Sequence, residues 1–197
     1  MIRPGPVPEA PSGLWLLEGV SCAGKSTLLR RWRRETEAPV LWAAEDLATQ
    51  RLFEPLETAH HPGAVEPWLR GLLAGWRELQ ARAEAMAWGE RRHGFLAMQE
   101  RFHLSAALEG GLGPGAFGSL EEALADAGAR GLLLTVSEAT LERRLEASLA
   151  TRPPAWARWL TRRHGGVAGA TRDLLEAQDR LRALAAGSLL PWVEAQS

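Results

Sequence analysis

The chain has 197 residues, of which 46% are hydrophobic and 24% are charged, and its formal net charge is -1. This length suits a single well-buried core, and the composition excludes a disordered or fibrous chain. Because arginine and glutamate are interleaved and the net charge is near zero, long-range attraction to nucleic acid or to an anionic membrane is not expected.

The N-terminal part of the chain predicts a tail, a strand, a loop and a helix. Residues 1–12 contain four prolines and no apolar periodicity, which predicts a flexible tail before a single domain of residues 13–197. From Gly13 the run LWLLE is short and apolar, as in a buried strand. A helix is expected at about residues 25–35.

Strands and helices alternate along the rest of the chain. Further strands are predicted at PVLWAAED, HGFLAMQ and GLLLTV, and a last one at SLLPWVEA, where Pro191 favours a sheet edge. A long amphipathic helix is predicted at residues 65–87, and shorter helices at 104–109, 119–128, 137–152, 155–164 and 170–187. This alternation predicts an α/β fold with a parallel sheet of about five strands and helices on both faces. The break at Pro153 and Pro154 predicts a mobile lid at about residues 146–160.

The loop after the first predicted strand carries a specific motif. GVSCAGKS, residues 19–26, matches G-x-x-x-x-G-K-[ST] at every fixed position. In this motif backbone amides surround the β-phosphate, the lysine reaches the β- and γ-phosphates, and the serine hydroxyl binds Mg²⁺. The residues predicted to bind the nucleotide are Gly19, Val20, Ser21, Cys22, Ala23, Gly24, Lys25, Ser26 and Thr27. The motif therefore predicts a three-layer P-loop NTPase fold with ATP and Mg²⁺ as cofactors.

The use of lysine supports this interpretation. Lys25 is the only lysine among 23 basic residues, and the other 22 are arginine. A compact, flexible ammonium is therefore kept at the position where a phosphate loop requires one. Cys22 in the same loop has two interpretations: a thiol made reactive by the helix N-terminus, or a small filler.

Residues outside the loop indicate the type of P-loop protein. An N-K-x-D element for reading guanine and an L-S-G-G-Q transporter signature are both absent, which disfavours a GTPase switch and a transport ATPase. Glu100 and Arg101 follow the third predicted strand, at the edge of the sheet expected beside the P-loop. Glu100 could hold a metal-bound water and Arg101 could contact phosphoryl oxygens, and a plain surface pair fits the same spacing.

Three segments resemble motifs of two kinase families. LLEGVSCAGKST resembles the E-G-x-x-x-A-G-K-[ST]-T opening of thymidylate kinases and deoxynucleoside kinases. ERFHLS is similar to the D-R-Y-x-x-S of the first family and the E-R-S of the second, and VSEATLERRL resembles the element with which both enter an arginine-bearing lid. The R-E-P and A-Y-Q motifs of thymidylate kinases are absent, so the resemblance covers the P-loop half of the fold.

This resemblance implies roles for further residues. Glu45 or Asp46, at the end of the second predicted strand, would be the base for an acceptor hydroxyl, and which of the two faces inward stays open because strand neighbours point to opposite sides. Glu100 would be the acid beside the metal and Arg101 the clamp on phosphoryl oxygens. The catalytic candidates are Lys25, Glu45, Asp46, Glu100, Arg101 and the lid residues Arg144 and Arg152, and the metal candidates are Ser26 and Glu100.

The acceptor side is indicated less specifically. Side chains that could contact a base or another flat ring follow the second and third strands, and are Gln50, Arg51, Trp68, Arg70 and Trp76. Trp68 and Trp76 also lie on the apolar stripe of the long helix, which favours core packing. His103 is a candidate for the acceptor site, whereas His60 and His61 lack a third ligand and favour a loop over a metal site.

Together these features predict an ATP- and Mg²⁺-dependent kinase acting on a small-molecule acceptor, with a nucleoside or nucleotide as first candidate. A kinase for a non-nucleotide metabolite or an antibiotic hydroxyl, and a non-catalytic nucleotide-binding module, are the alternatives. One cysteine, no apolar signal segment and no apolar run near the roughly 20 residues that cross a bilayer predict a cytoplasmic protein without a membrane or nucleic-acid partner. A homodimer remains open.

Overall fold

The computed structural model describes residues 2–9, 12–37, 40–43, 62–85 and 96–197. The predicted residues Glu45, Asp46, Gln50, Arg51, His60 and His61 lie outside the described residues. Within the described ranges the elements, in chain order, are β1 (Ile2–Pro4), β2 (Gly13–Glu18), α1 (Lys25–Glu35), β3 (Val40–Ala43), α2 (Pro62–Ala85), β4 (Leu96–Glu100), α3 (His103–Glu109), α4 (Gly118–Asp126), β5 (Arg130–Thr135), α5 (Glu138–Thr151), α6 (Pro154–His164), α7 (Val167–Ala186) and β6 (Trp192–Gln196).

The strands form one parallel sheet in the order β1-β6-β5-β2-β4-β3. Parallel neighbours require crossover connections, and right-handed crossovers place α1 on one face and the later helices on the other. The later helices pack on one another, with α7 contacting α3, α5 and α6. This three-layer α/β arrangement is consistent with the P-loop-like fold predicted from the sequence.

The central strands are buried on both faces. Leu14, Leu16 and Leu17 of β2 and Leu132 and Leu133 of β5 are each at most 4% exposed. Continuous apolar runs of this kind are typical of a parallel sheet covered by helices on both sides. The carboxyl ends of β2, β4 and β5 therefore meet at one edge, which is where ligands bind in open α/β sheets.

The N-terminal segment corrects two predictions. Ile2–Pro4 pairs in parallel with β6, and the carbonyl of Pro8 accepts a 2.8 Å hydrogen bond from Trp32 Nε1. The expected flexible tail therefore contains an edge strand, too short for any periodicity to reveal. As a result the sheet has six strands within the described residues, where about five were expected, and β6 is an interior strand. The edge position inferred from Pro191 is wrong, because this proline precedes the first residue of β6.

Two tryptophans of α2 differ in their packing. Trp76 is buried and its ring centre is 5.3 Å from that of Phe102, so its predicted core role is confirmed. Trp68 is 39% exposed, so the same prediction is wrong for it. Among the described residues, no helix has the length and apolarity needed to span a membrane.

Candidate functional site

The loop between β2 and α1 has the backbone geometry that its glycines predict. Gly19 has a φ of 144°, and a Cβ there would lie 2.5 Å from the carbonyl oxygen of Leu134. Gly24 has a φ of 92° and immediately precedes the first residue of α1. Both glycines are therefore required, one by close packing against β5 and one by the left-handed turn into the helix. The turn leaves the first amides of α1 directed into the loop, where an anion is stabilised.

Lys25 lies within this loop. Its Nζ donates hydrogen bonds to the carbonyl oxygens of Gly19 at 2.7 Å and Val20 at 3.0 Å, and the residue is 5% exposed. A buried ammonium is stable only where such acceptors or an anion surround it. The ammonium is thus held at the N-terminal end of α1, close to where the motif predicts the β- and γ-phosphates.

Ser26 and Glu100 are brought together from distant parts of the sequence. The Ser26 hydroxyl donates to the Glu100 carboxylate, at 3.2 Å from Oε1 and 3.4 Å from Oε2. Glu100 is the last residue of β4 and pairs with Leu17 of β2, so the strand register places its carboxylate beside the P-loop. This is the pair that the sequence analysis named as metal candidates.

The Ser26–Glu100 pair fits a magnesium ion. Mg²⁺ prefers oxygen ligands and is usually held by one or two carboxylates together with waters and substrate phosphates. In the described part of the chain, no group of three or more His, Cys, Asp or Glu residues could hold a metal. The Ser26 and Glu100 side chains therefore suit a magnesium site whose other ligands are waters and phosphate oxygens.

Arg101 joins the P-loop to α3. Its Nη2 donates to Ser21 Oγ at 3.2 Å, and its Nη1 is 3.5 Å from Glu109 Oε1. Its φ of 55° is in the left-handed region, which is uncommon for a residue with a side chain and is found disproportionately at functional sites. The predicted contact of Arg101 with phosphoryl oxygens stays a prediction, and the geometry places the guanidinium against the loop.

Glu18 is a buried residue whose role the sequence analysis missed. Its carboxylate is 0% exposed and accepts hydrogen bonds from the amide of Phe102 at 2.8 Å and from the amide and hydroxyl of Ser105 at 3.2 and 2.5 Å. A carboxylate at the first turn of a helix satisfies orphan amides. Glu18 therefore fixes the start of α3 against the end of β2, next to Glu100 and Arg101.

Replacement of Glu18 by alanine is expected to lower the free energy of unfolding by about 2–4 kcal/mol, because it leaves buried donors without an acceptor. Urea denaturation followed by circular dichroism measures this change. Glu122→Ala, at an exposed position on α4, is the matched control and should stay within about 0.5 kcal/mol of the wild type. Equal stabilities of the two variants would contradict the positioning role of Glu18.

A cleft of about 880 Å³ opens over the P-loop. Its walls come from the P-loop, α1, the α5–α6 junction and the end of β6. The charged side chains that line it, within the described part of the chain, are Glu100 and the cations Lys25, Arg30, Arg31, Arg34, Arg144 and Arg152. The cleft is therefore strongly positive, as a site for a polyphosphate requires.

The two lid arginines of the sequence analysis both line this cleft. Arg144 Nη1 donates to the carbonyl oxygen of Cys22 at 3.1 Å and to Ser197 Oγ at 2.9 Å. The guanidinium carbon of Arg152 lies 4.2 Å from the ring centre of Trp156, within the range of a cation–π contact. The α5 helix ends at Thr151 and α6 begins at Pro154, so the helix break is where the prolines predict it. The mobility of this segment stays a prediction.

The environment of Cys22 supports the filler interpretation. Burial raises the pKa of its thiol, and this effect outweighs the opposing influence of Arg152, Lys25 and Arg144. A raised pKa keeps the side chain as a neutral thiol near pH 7, which is the less reactive form.

His103 is not part of the cleft. Its ring is 1% exposed, Nε2 lies 3.0 Å from Glu121 Oε1, and the rings of Phe117 and Trp192 pack around it. Burial acts to raise the pKa of Glu121, but hydrogen bonds from His103 and the amide of Leu189 lower it below its usual range overall. The acceptor role expected for His103 is wrong, because α3 directs this ring into the interior.

Arg70, a further acceptor candidate in the described residues, is engaged in packing. Its Nη2 donates to Ser119 Oγ at 2.8 Å and its Nε to Glu66 Oε1 at 2.9 Å, which joins α2 to α4. None of the acceptor candidates within the described residues therefore lines the cleft over the P-loop.

Comparisons with known proteins give no family. No protein-family model and no curated protein matches the chain. A crystal structure of a "putative kinase" from Chloroflexus aurantiacus aligns over 94% of this chain and 88% of its own, with 18% sequence identity and a TM-score of 0.35. A score at this level supports no functional conclusion, and function is therefore inferred from the residues of the cleft.

Proposed function

We propose that this protein is a P-loop kinase that transfers the γ-phosphoryl group of ATP to a small acceptor, with a nucleoside or nucleotide as the first candidate. The observation that carries the proposal is the grouping of Lys25, Ser26 and Glu100 at the carboxyl edge of β2 and β4. An ammonium, a hydroxyl and a carboxylate around a glycine loop are what binding of a magnesium–triphosphate complex requires.

Catalysis by these residues would consist of positioning and charge neutralisation. On nucleotide binding Lys25 would exchange the carbonyls of Gly19 and Val20 for the β- and γ-phosphate oxygens. Ser26 and Glu100 would hold Mg²⁺, which supplies charge neutralisation on the same oxygens when bound. Arg144 is close enough to the loop, through its bond to Cys22, to approach the transferred group.

The nucleoside of the donor would lie at the lid wall of the cleft. Trp156 stacks on Trp159 with ring centres 4.8 Å apart, and Arg152 lies against the Trp156 ring. A planar guanidinium fixed in this way offers a stacking surface to a base. Gln196 and Ser197 line the same cleft and offer polar groups.

The chemistry of the phosphoryl acceptor determines whether the reaction needs a general base. Transfer to a hydroxyl requires a carboxylate that accepts its proton, for which Glu45 and Asp46 remain the proposed residues. Transfer to an acceptor phosphate requires no strong base, and neither residue would then be essential.

The experiment that tests this function is an ADP-release screen over nucleosides, nucleoside monophosphates, and sugar or antibiotic alcohols, with Lys25→Met as the blank. We expect at least one nucleoside or nucleotide to raise turnover at least tenfold above the blank, because chemistry without the P-loop ammonium loses about 10²–10³-fold. Turnover with other alcohols alone would replace the acceptor class. ATP binding without turnover on any acceptor would favour a nucleotide-binding module.

A further inference from the structure

The cleft carries more positive charge than is needed to balance a triphosphate bound at the P-loop. Beyond Lys25 and the lid arginines, Arg30, Arg31 and Arg34 of α1 line the same cleft. Magnesium-bound ATP has a net charge of about -2 near neutral pH, and the P-loop lysine with the lid arginines already balances that charge. The three arginines of α1 therefore form a surplus that a nucleoside triphosphate alone does not explain.

Two of these three arginines have no acidic partner among the described residues. Arg31 lies 3.6 Å from Glu35, so its charge is largely balanced on the helix. Arg30 donates from Nε to the carbonyl oxygen of Ser26 at 3.1 Å, and neither it nor Arg34 forms an ion pair within the described ranges. Arg30 and Arg34 are exposed, one helical turn apart on one face of α1.

The two arginines differ in their distance from the P-loop, because the Nε of Arg30 folds back to the Ser26 carbonyl oxygen beside the loop, whereas Arg34 is one turn further along the helix. At about 1.5 Å per residue, Arg30 lies about 7.5 Å and Arg34 about 13.5 Å further along α1 than Lys25. In this motif the backbone amides of the loop hold the phosphates at the start of the helix. Arg34 therefore lies further along the helix than the loop amides that hold phosphates in this motif, and it still lines the cleft.

Structural explanations account for these side chains incompletely. Basic residues in the last turn of a helix favour the macrodipole, which would explain Arg34, but Arg33 serves the same purpose outside the cleft. Two like charges at i and i+4 repel each other, so the pair Arg30 and Arg34 does not stabilise α1. An anion bound between them would relieve that repulsion and form charge-assisted hydrogen bonds.

We propose that the cleft binds a ligand with a second phosphate-bearing group, outside the phosphates held by the P-loop, and that Arg30 and Arg34 bind this group. The inference rests on the proposed function, because it places the ligand by its P-loop phosphates. Two sources share this chemistry: a nucleotide phosphorylated on its ribose, and an inorganic polyphosphate longer than the P-loop can hold.

Isothermal titration calorimetry with two matched ligand pairs tests the proposal and separates the sources. One pair is adenosine 3′,5′-bisphosphate and AMP, which differ by a ribose phosphate. The other is long-chain polyphosphate, counted per chain, and tripolyphosphate. In the wild type we expect, for one of the two pairs, that the ligand with the additional phosphate binds about tenfold or more tightly than its partner, because the added group forms hydrogen bonds to charged donors. This ratio of affinities is the gain.

The matched variants are Arg34→Gln and Arg33→Gln, which make the same charge change at neighbouring exposed positions of α1. Of these two residues, Arg34 lines the cleft and Arg33 does not. The gain is expected to fall to about threefold or less in R34Q and in R30Q/R34Q, and to stay within about twofold of the wild type in R33Q. Both exposed substitutions leave the core intact, and circular dichroism checks this.

Two outcomes would overturn the proposal: no gain for either ligand pair, or equal losses in R34Q and R33Q, which would show a general effect of charge. ATP is titrated into the same proteins so that the two proposals can fail separately. Normal ATP binding without a gain refutes the second phosphate group and leaves the kinase proposal intact. If the wild type did not bind ATP but still bound long-chain polyphosphate more tightly than tripolyphosphate, the kinase proposal would be refuted and the proposed site for a second phosphate group would be supported.

Discussion

Replacement of Lys25 by methionine is expected to lower phosphotransfer about 10²–10³-fold, because the variant removes the charge that neutralises the transferred phosphoryl group. Methionine has a similar length and no charge, so it fills the buried space beside Gly19 and Val20. The measurement is the steady-state rate of ADP release with the acceptor found in the screen.

The matched control for this variant is Arg33→Met. Arg33 is an exposed cation on the same helix and does not line the cleft. Its replacement should leave the rate within about twofold of the wild type, as for other exposed substitutions away from a site. Activity of the Lys25 variant within about threefold of this control would contradict the proposed role of the ammonium.

The second large effect is expected for Glu100→Gln. Glutamine keeps the size of the side chain and a hydrogen bond to Ser26, but it removes the negative charge that favours Mg²⁺. We expect the maximal rate to fall about 10²-fold and the Mg²⁺ concentration for half-maximal rate to rise about tenfold. Titration of the rate with MgCl₂ at fixed ATP measures both quantities.

Glu122→Gln makes the same charge change at an exposed position of α4 and serves as the control. It should reproduce the wild-type magnesium titration. If Glu100→Gln gave the same titration curve as this control, Glu100 would not be a metal ligand. A lower rate with an unchanged magnesium midpoint would give Glu100 a role in the reaction apart from the metal.

The sequence predicted the glycine loop after β2 and the bounds of α1 well, because local rules determine them. Two glycines with positive φ and a helix that begins at Lys25 follow from one motif, and α1 extends over the predicted residues 25–35. The pairing of Ser26 with Glu100 was also accessible, since parallel strands bring their carboxyl ends to one edge. These features required no knowledge of how helices pack.

The features that were missed depend on tertiary contacts. β1 has three residues and is a strand only because β6 offers hydrogen bonds, so no periodicity could reveal it. His103 and Glu18 are both polar and both buried. Only the fold determines that His103 pairs with Glu121 in the interior and that Glu18 holds the start of α3. Likewise the sequence shows 22 arginines without indicating that Arg30 and Arg34 line the cleft and Arg33 does not.

Calorimetric titration of ATP with Mg²⁺ into the wild-type protein and the Lys25→Met variant tests the central claim most directly. We predict saturable heat at equimolar stoichiometry for the wild type, and an affinity at least about tenfold lower for the variant, since a charge-assisted contact to phosphate is lost. Absence of heat in the wild type, or equal affinities in the two proteins, would contradict nucleotide binding by this loop.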